Sequence, residues 1–295
     1  MGARMRERGS RTVAGGALAA LLWASLPASG FPAPATGGDP GSLPPLLDRL
    51  ARRALLYEKA ALGFSCEETV ILGKFEAKSG ESKREERTLY NYLYEGNPQS
   101  GYQEIRMLVE KNGSPKESRL TDPDLHAPHA YDWALLFTDR HRAHFRFEPA
   151  GEELVGFHVA RILGFSGSAP FLKGREIEEW SGRVWVDGET GNFVKVEAAP
   201  NQQDERLPLQ RDQWLRSFRL GAIPIKRQPR GYHYKLSFTV EKLGLTFPGE
   251  AETRLFVLTP EGEEEIRERI AQRFRKYVFF NVQSQEEFLR TETPR

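Results

Sequence analysis

The sequence predicts an α+β protein that is mostly β: one large, curved antiparallel sheet, with an N-terminal amphipathic helix and further helices against it. Three observations carry that expectation. After Gly63 the apolar residues recur at every second position, and this period of two holds for most of the chain. Several runs alternate cleanly: Ala143, Phe145 and Phe147 oppose Arg142, His144, Arg146 and Glu148, while Tyr232, Tyr234, Leu236, Phe238 and Val240 oppose His233, Lys235, Ser237, Thr239 and Glu241. Strands with one dry face and one wet face belong to antiparallel sheets. Residues Trp180 to Pro200, WSGRVWVDGETGNFVKVEAAP, read as a β-hairpin whose turn, Asp187-Gly188-Glu189-Thr190-Gly191, has glycines free to take positive φ.

The elements follow in chain order. Arg4, Arg6, Arg8 and Arg11 precede a small-residue and apolar run from Ala14 to Leu26, broken by Pro27-Ala28-Ser29-Gly30, which is the pattern of a secretory signal peptide over residues 1–35. Cleavage after Gly30 or after Ala35 satisfies the small-residue rule. A retained spanning helix would need about 20 apolar residues, and this run is too short and too rich in alanine and glycine. Loss of residues 1–35 removes four arginines and one glutamate, which lowers the formal charge from +1 to about −2. The expected mature chain is therefore exported without a membrane anchor, and its near-neutral surface gives no reason to expect nucleic acid as a partner.

Residues 36–45 are rich in Gly, Pro and Asp and read as a flexible leader to a single β-rich domain over 46–295. Ser42 is placed to cap a helix whose apolar positions Leu43, Leu46, Leu47, Leu50, Ala54, Tyr57 and Ala61 recur at helical steps, with Gly63 closing it. Strands are expected near 64–75, 84–95, 102–111, 142–149, 153–163, 181–187, 192–198, 212–221, 231–242 and 251–259. A short helix is expected around Ala130 to Asp139. A second, solvated helix is expected near 263–277, where Ile266, Ile270 and Phe274 recur every four residues among alternating charges.

Chemical signatures are sparse. Cys66, the single cysteine, forbids an internal disulfide and sits with Phe64, Val70 and Leu72 on one strand face, as a buried structural thiol would. Asp122, Asp124, His126 and His129 have metal-compatible side chains, but Pro128 keeps a regular helix from aligning the histidines; His141 and His144 point to opposite faces of the expected strand. Gly164-Phe165-Ser166-Gly167-Ser168 approaches a nucleophile elbow but has serine where the closing glycine belongs, and reads as a loop. Asp187 and Glu189 have calcium-compatible side chains, in a turn that needs acidic residues for its own hydrogen bonds. No catalytic residue, metal ligand set or cofactor site is assigned.

The leading helix, the run Phe64-Ser65-Cys66-Glu67-Glu68-Thr69-Val70, and the hairpin with Trp185-Val186-Asp187, Glu189-Thr190-Gly191 and Val194-Lys195-Val196-Glu197 together resemble the outer-membrane lipoprotein-sorting-protein superfamily, the LolA-like periplasmic carriers. The hairpin is similar to that family's W-x-D-x-x-T-G pattern. The likeness in element order covers roughly residues 45 to 260, and motif-level identity covers about twenty. It implies a half-open β-barrel, its concave side covered by helices, holding acyl chains or another lipid-like group, where acyl burial is worth about 0.8 kcal/mol per methylene. The chain departs from compact carriers in an added segment around 201–230 and in the C-terminal residues beyond.

The candidate cavity residues are Phe145, Phe147, Phe157, Val159, Trp185, Tyr232, Tyr234 and Phe238, with Trp185 placed on the concave face. The reading that follows is a binding protein, without catalysis, for a hydrophobic ligand or lipoprotein acyl chains. A non-catalytic envelope protein with a filled core and a protein partner is the alternative; a metal-dependent hydrolase built on residues 122–129 is the third.

Overall fold

The computed structural model describes residues 43–60, 63–75, 82–97, 101–117, 119–121, 129–156, 158–168, 179–200, 230–259 and 261–280. All of them fall in one compact unit. The expected signal peptide and leader, the Ser42 cap, Ala61, Phe157, most of the 122–129 cluster and the expected strand at 212–221 lie outside the described residues.

Helix α1 (Leu43–Ala60) starts on Pro44 and Pro45, which suit the first helical turn because it has no intrahelical acceptor for their missing N–H. It buries Leu46, Leu50, Ala54, Leu56, Tyr57 and Ala60 along one stripe. Strands β1 (Phe64–Phe75), β2 (Ser82–Asn97), β3 (Gly101–Lys111), β4 (Ser114–Pro115) and β5 (Leu120–Thr121) follow. A 3-10 helix (Ala130–Leu135) and the short α2 (Asp139–Arg142) come next. Strands β6 (Phe145–Val155), β7 (His158–Ser168), β8 (Glu179–Asp187), β9 (Phe193–Pro200), β10 (Arg230–Lys242), β11 (Leu245–Leu258) and β12 (Glu264–Phe279) complete the order.

All twelve strands belong to one sheet, in the order β4-β3-β2-β1-β12-β11-β10-β9-β8-β7-β6, with β5 also paired to β3, and every described pairing is antiparallel. The chain enters at the middle of the sheet on β1 and meanders to one edge. It crosses to the opposite edge through the 3-10 helix and α2, then meanders back until β12 pairs with β1. The fold is thus mostly β, a single open antiparallel sheet with few helices.

The crossing segment accounts for the curvature. Within eight residues it touches strands from both halves of the sheet: Tyr131 packs on Phe64, Tyr94 and Phe247, Trp133 on Phe165, Trp180 and Tyr234, and Phe137 on Phe147 and Phe193. Only a sheet bent around one segment reaches it from so many strands. Residues Ala130 to Phe137 are all buried.

The expected helix near 263–277 is strand β12. Ile266, Ile270 and Phe274 stand four apart, an even spacing that fits a strand as well as a helix, and a bulge beyond them extends the likeness. Lys276 takes a left-handed φ of 58°, and the pairing with β1 slips between Glu67↔Arg275 and Ser65↔Val278, which is a β-bulge. The extra residue brings Phe274 and Tyr277, three apart, to the same face as Ile270, so a strand acquires the i, i+4, i+7 spacing of a helix. The alternating charges belong to neighbouring strands: Arg273 meets Glu250 at 3.3 Å, Lys276 meets Glu67 at 2.7 Å, and Glu268 meets Lys74 at 3.3 Å.

Two smaller expectations are also corrected. The strand expected from 142 starts at Phe145, because Asp139–Arg142 turns as α2 and the amide of His144 bonds the carbonyl of His141. Residues 164–168 are not a loop; they lie inside β7, where 164–167 pair with both β6 and β8 and Ser168 with β8, so Ser166 has no strand-to-helix elbow to sit on.

Candidate functional site

The concave face is built on the hairpin and on α1. Asp187 Oδ1 accepts hydrogen bonds from the amides of Glu189 (3.0 Å) and Thr190 (2.6 Å) and from Thr190 Oγ (2.8 Å), and Gly191 turns the chain at a φ of 73°. The acidic turn is therefore occupied by its own local bonds. Asn192 follows and joins the hairpin to its surroundings: it accepts from Arg53 Nε at 2.8 Å and donates to the carbonyl of Gly244 at 3.1 Å, which Arg53 also bonds. Tyr57 on α1 donates to the carbonyl of Thr246 at 2.9 Å and accepts Tyr131's approach through its own carbonyl, which the Tyr131 hydroxyl bonds at 2.9 Å. Helix, hairpin turn and crossing segment are thereby fixed over one end of the concave face.

Beneath them lies an aromatic floor. Tyr232, Tyr234, Phe238 and Phe145 are buried there, and Phe147 packs against them partly buried. Trp180 stands between Trp133 (5.6 Å) and Tyr232 (5.5 Å), and Phe238 stacks on Phe193 at 5.1 Å. Five of the expected cavity residues thus come together on the concave face, as packed core.

Two do not. Val159 points toward the concave side at the tip of the β6–β7 hairpin but is 52 % exposed, opposite the exposed Leu154. Trp185 is on the convex face, contrary to expectation. Its neighbours Val184 and Val186 belong to the core cluster, and strand geometry sends the residue between them outward. There its ring lies 3.6 Å beneath Lys195 Nζ, and its Nε1 donates to Glu153 at 2.6 Å.

Beyond the aromatic floor the concave face carries a charged band that the sequence reading missed. Glu68 on β1, Glu104 and Arg106 on β3, and Gln272 on β12 are all turned inward. Arg106 reaches Glu68 at 2.5 and 3.1 Å and Glu104 at 2.5 Å, and its guanidinium lies 5.1 Å above the Tyr92 ring. Gln272 donates to Glu68 at 2.7 Å, and Tyr92 donates to Glu104 at 2.7 Å. Burial works against charge on Glu104, but Arg106 and His129 hold its carboxyl below the usual range; burial likewise works against charge on Arg106, and Glu104 and Glu68 hold it well above its usual value. The group is satisfied from within. The legible signal was parity: Glu68 shares its face with Phe64, Cys66 and Val70.

On the far side of the band a second apolar cluster joins Val70, Tyr90, Leu108 and Ile270, with Leu72 and Leu255 beside it. Leu255 also packs against the aromatic floor, so the concave face is apolar on both sides of its charged stripe.

The histidines do not converge. His129 lies 3.4 Å from Asp132 and 3.7 Å from Glu104 at the start of the 3-10 helix, whereas His141 is buried with Nδ1 3.1 Å from the carbonyl of Leu135. Among the described residues no three His, Cys, Asp or Glu side chains gather as a metal site. Cys66 is a buried free thiol whose pKa burial pushes up, so it is not poised as a nucleophile.

Burial pushes the His141 pKa down from 6.5 to about 4. The unfolded chain then takes the proton first, so the stability this residue contributes is present above about pH 6.5 and is lost as pH falls toward about 4. Denaturation midpoints between pH 7 and 4.5 should fall less in His141→Gln than in the parent protein; equal falls would place the pH dependence elsewhere.

No protein-family model matches the chain, and no curated protein matches its sequence. Its structure is similar to solved ones. A putative outer membrane lipoprotein-sorting protein domain from Vibrio parahaemolyticus aligns at 12 % identity and a TM-score of 0.43, over 83 % of this chain and 96 % of that one. A DUF1329 family protein from Desulfovibrio piger aligns at 9 % and 0.39 over the same shares. A LolA superfamily protein from Nitrosomonas europaea aligns at 11 % and 0.30, over 80 % of this chain and 96 % of that one. Among the described residues no helix is long and apolar enough to cross a membrane.

Proposed function

We propose that this chain is an exported periplasmic carrier that holds a lipid-like or lipoprotein acyl ligand on the concave face of its open sheet and does no chemistry on it. The observation that carries this reading is a second apolar cluster on the concave face, Val70, Tyr90, Leu108 and Ile270, each of them buried and set apart from the core that α1 and the crossing segment join. An exported carrier of an apolar group needs such a surface, and burial against it supplies the affinity. The basic, small-residue and apolar N-terminus supports export.

The packed aromatic floor favours a second reading, an envelope protein with a filled core that acts through a protein partner. Ligand capture separates the two. Organic extraction of protein purified from the periplasm, followed by mass spectrometry, should release an acyl compound, and the stripped protein should take up a fluorescent fatty acid. Protein that releases no lipid and takes up no probe would leave only the filled-core reading.

A further inference from the structure

At the end of the sheet where β12 finishes, the convex face combines exposed apolar side chains with unbalanced positive charge. Val278 stands between Tyr277 and Phe279, both packed on the core, so it points outward, and it is 56 % exposed. Phe280 follows, equally exposed, with its amide still bonding the carbonyl of Gly63. Val278 pairs with Ser65, Ser65 with Leu93 and Leu93 with Ile105, so one outward row crosses β12, β1, β2 and β3. Met107 and Leu120, paired on β3 and β5, carry it to the sheet edge, where Leu120 is 73 % exposed. Large apolar residues gathered in this way on a surface mark a contact.

Positive charge continues along β12 from one end of the row. Arg254 and Arg269 lie directly opposite each other on β11 and β12, a like-charge pair that opposes sheet formation, and they share one carboxylate, Glu252. On the same face Arg273 meets Glu250 and Lys276 meets Glu67, while Arg275 has no ion-pair partner among the described residues. Five cations thus face three carboxylates, although the chain without residues 1–35 is about −2 overall. The side chains of Arg269, Arg273 and Lys276 are more than half exposed.

We propose that this part of the convex face docks the protein on a bilayer with anionic headgroups: Val278 and Phe280 enter the headgroup layer, and Arg269, Arg273, Arg275 and Lys276 meet its phosphates. Guanidinium groups suit phosphate because their fork of donors binds two oxygens at once. A protein partner would need a closely packed pocket for its anchoring side chains. This row is shallow and lies on the outside of a sheet. A bilayer interface takes it without a matching pocket, and anionic headgroups answer the excess charge. Docking by the convex face turns the concave face away from the membrane.

Cosedimentation with vesicles tests this on the chain lacking residues 1–35, whose arginines would bind anionic lipid by themselves; all described residues lie in the compact unit that remains. Vesicles of phosphatidylcholine and phosphatidylglycerol at about 3:1 should bind it, and vesicles of phosphatidylcholine alone should bind it about tenfold more weakly or less. Arg273→Gln combined with Arg275→Gln should weaken binding to the mixed vesicles about 25-fold, at about fivefold per charge. Phe280→Ser should weaken it about tenfold and, at an exposed position, keeps the test decisive if the double variant fails to fold. Lys59→Gln, which removes an exposed charge from α1, should leave binding unchanged. No binding to the mixed vesicles overturns the proposal and leaves an acidic protein as the partner this patch fits. Equal binding to both vesicles, or an equal loss in Lys59→Gln, overturns it as well. The carrier reading survives each of these results, because lipid extraction and fatty-acid uptake report on the concave face.

Discussion

Arg106→Leu is expected to lower the stability of the protein by about 3–5 kcal/mol, the usual cost of removing one partner from a buried ionic group. The cost comes from what stays behind. Glu68 and Glu104 would remain on the concave face without their guanidinium, and the hydrogen bonds from Gln272 and Tyr92 do not replace a positive charge. Urea denaturation of parent and variant measures the loss. The triple variant Arg106→Leu, Glu68→Leu, Glu104→Gln should recover most of it, because no unpaired charge is then left inside. Recovery would identify the band as a net electrostatic balance; a triple variant as weak as the single one would show that shape and packing around Tyr92 dominate.

The second large effect is expected at Trp133→Ala. This side chain is fully buried on the crossing segment and touches Phe165, Trp180 and Tyr234, residues of three different strands. Its removal opens a cavity the sheet cannot easily close, at a cost of about 3–5 kcal/mol. Denaturation again gives the number, and near-UV circular dichroism should lose intensity beyond one tryptophan as Trp180 and Tyr234 lose their neighbour. A loss under about 1 kcal/mol would mean that the concave face closes over the gap.

The parts of this fold that were legible in the sequence are those set by local chemistry. Helix α1 announces itself through Leu46, Leu50, Ala54 and Tyr57, and the hairpin through Asp187, Thr190 and Gly191, whose bonds close within four residues. The run Ala130 to Phe137 is apolar enough to be read as a buried short helix. Strand β12 was not legible, because Ile266, Ile270 and Phe274 stand four apart, an even spacing that fits a strand as well as a helix, and the bulge at Lys276 then adds Tyr277 at a helical step. Three apolar residues in a row, Val184 to Val186, hide the parity of a strand, and the core positions of Val184 and Val186 together with the pairing of Trp185 to Lys195 resolve it. The band of Glu68, Glu104 and Arg106 comes from strands separated in sequence, so its charge balance exists only after pairing. Asn192 carries no local signal, because its bonds to Arg53 and Gly244 reach residues far from it in sequence.

The meeting of β1 with β12 has a consequence for how the protein is made. These are the first and last strands of the sheet in the chain, about two hundred residues apart, and they form adjacent central strands. Until Glu264–Phe279 has been synthesised, β1 and β11 each present an open hydrogen-bonding edge, and the two arms of the meander have no seam between them. Such pairing is slow because so long a loop must close first. The decisive step therefore lies at the C-terminal end of the sheet: a chain cut before Glu264 would carry every other described strand and still lack the one that joins its halves.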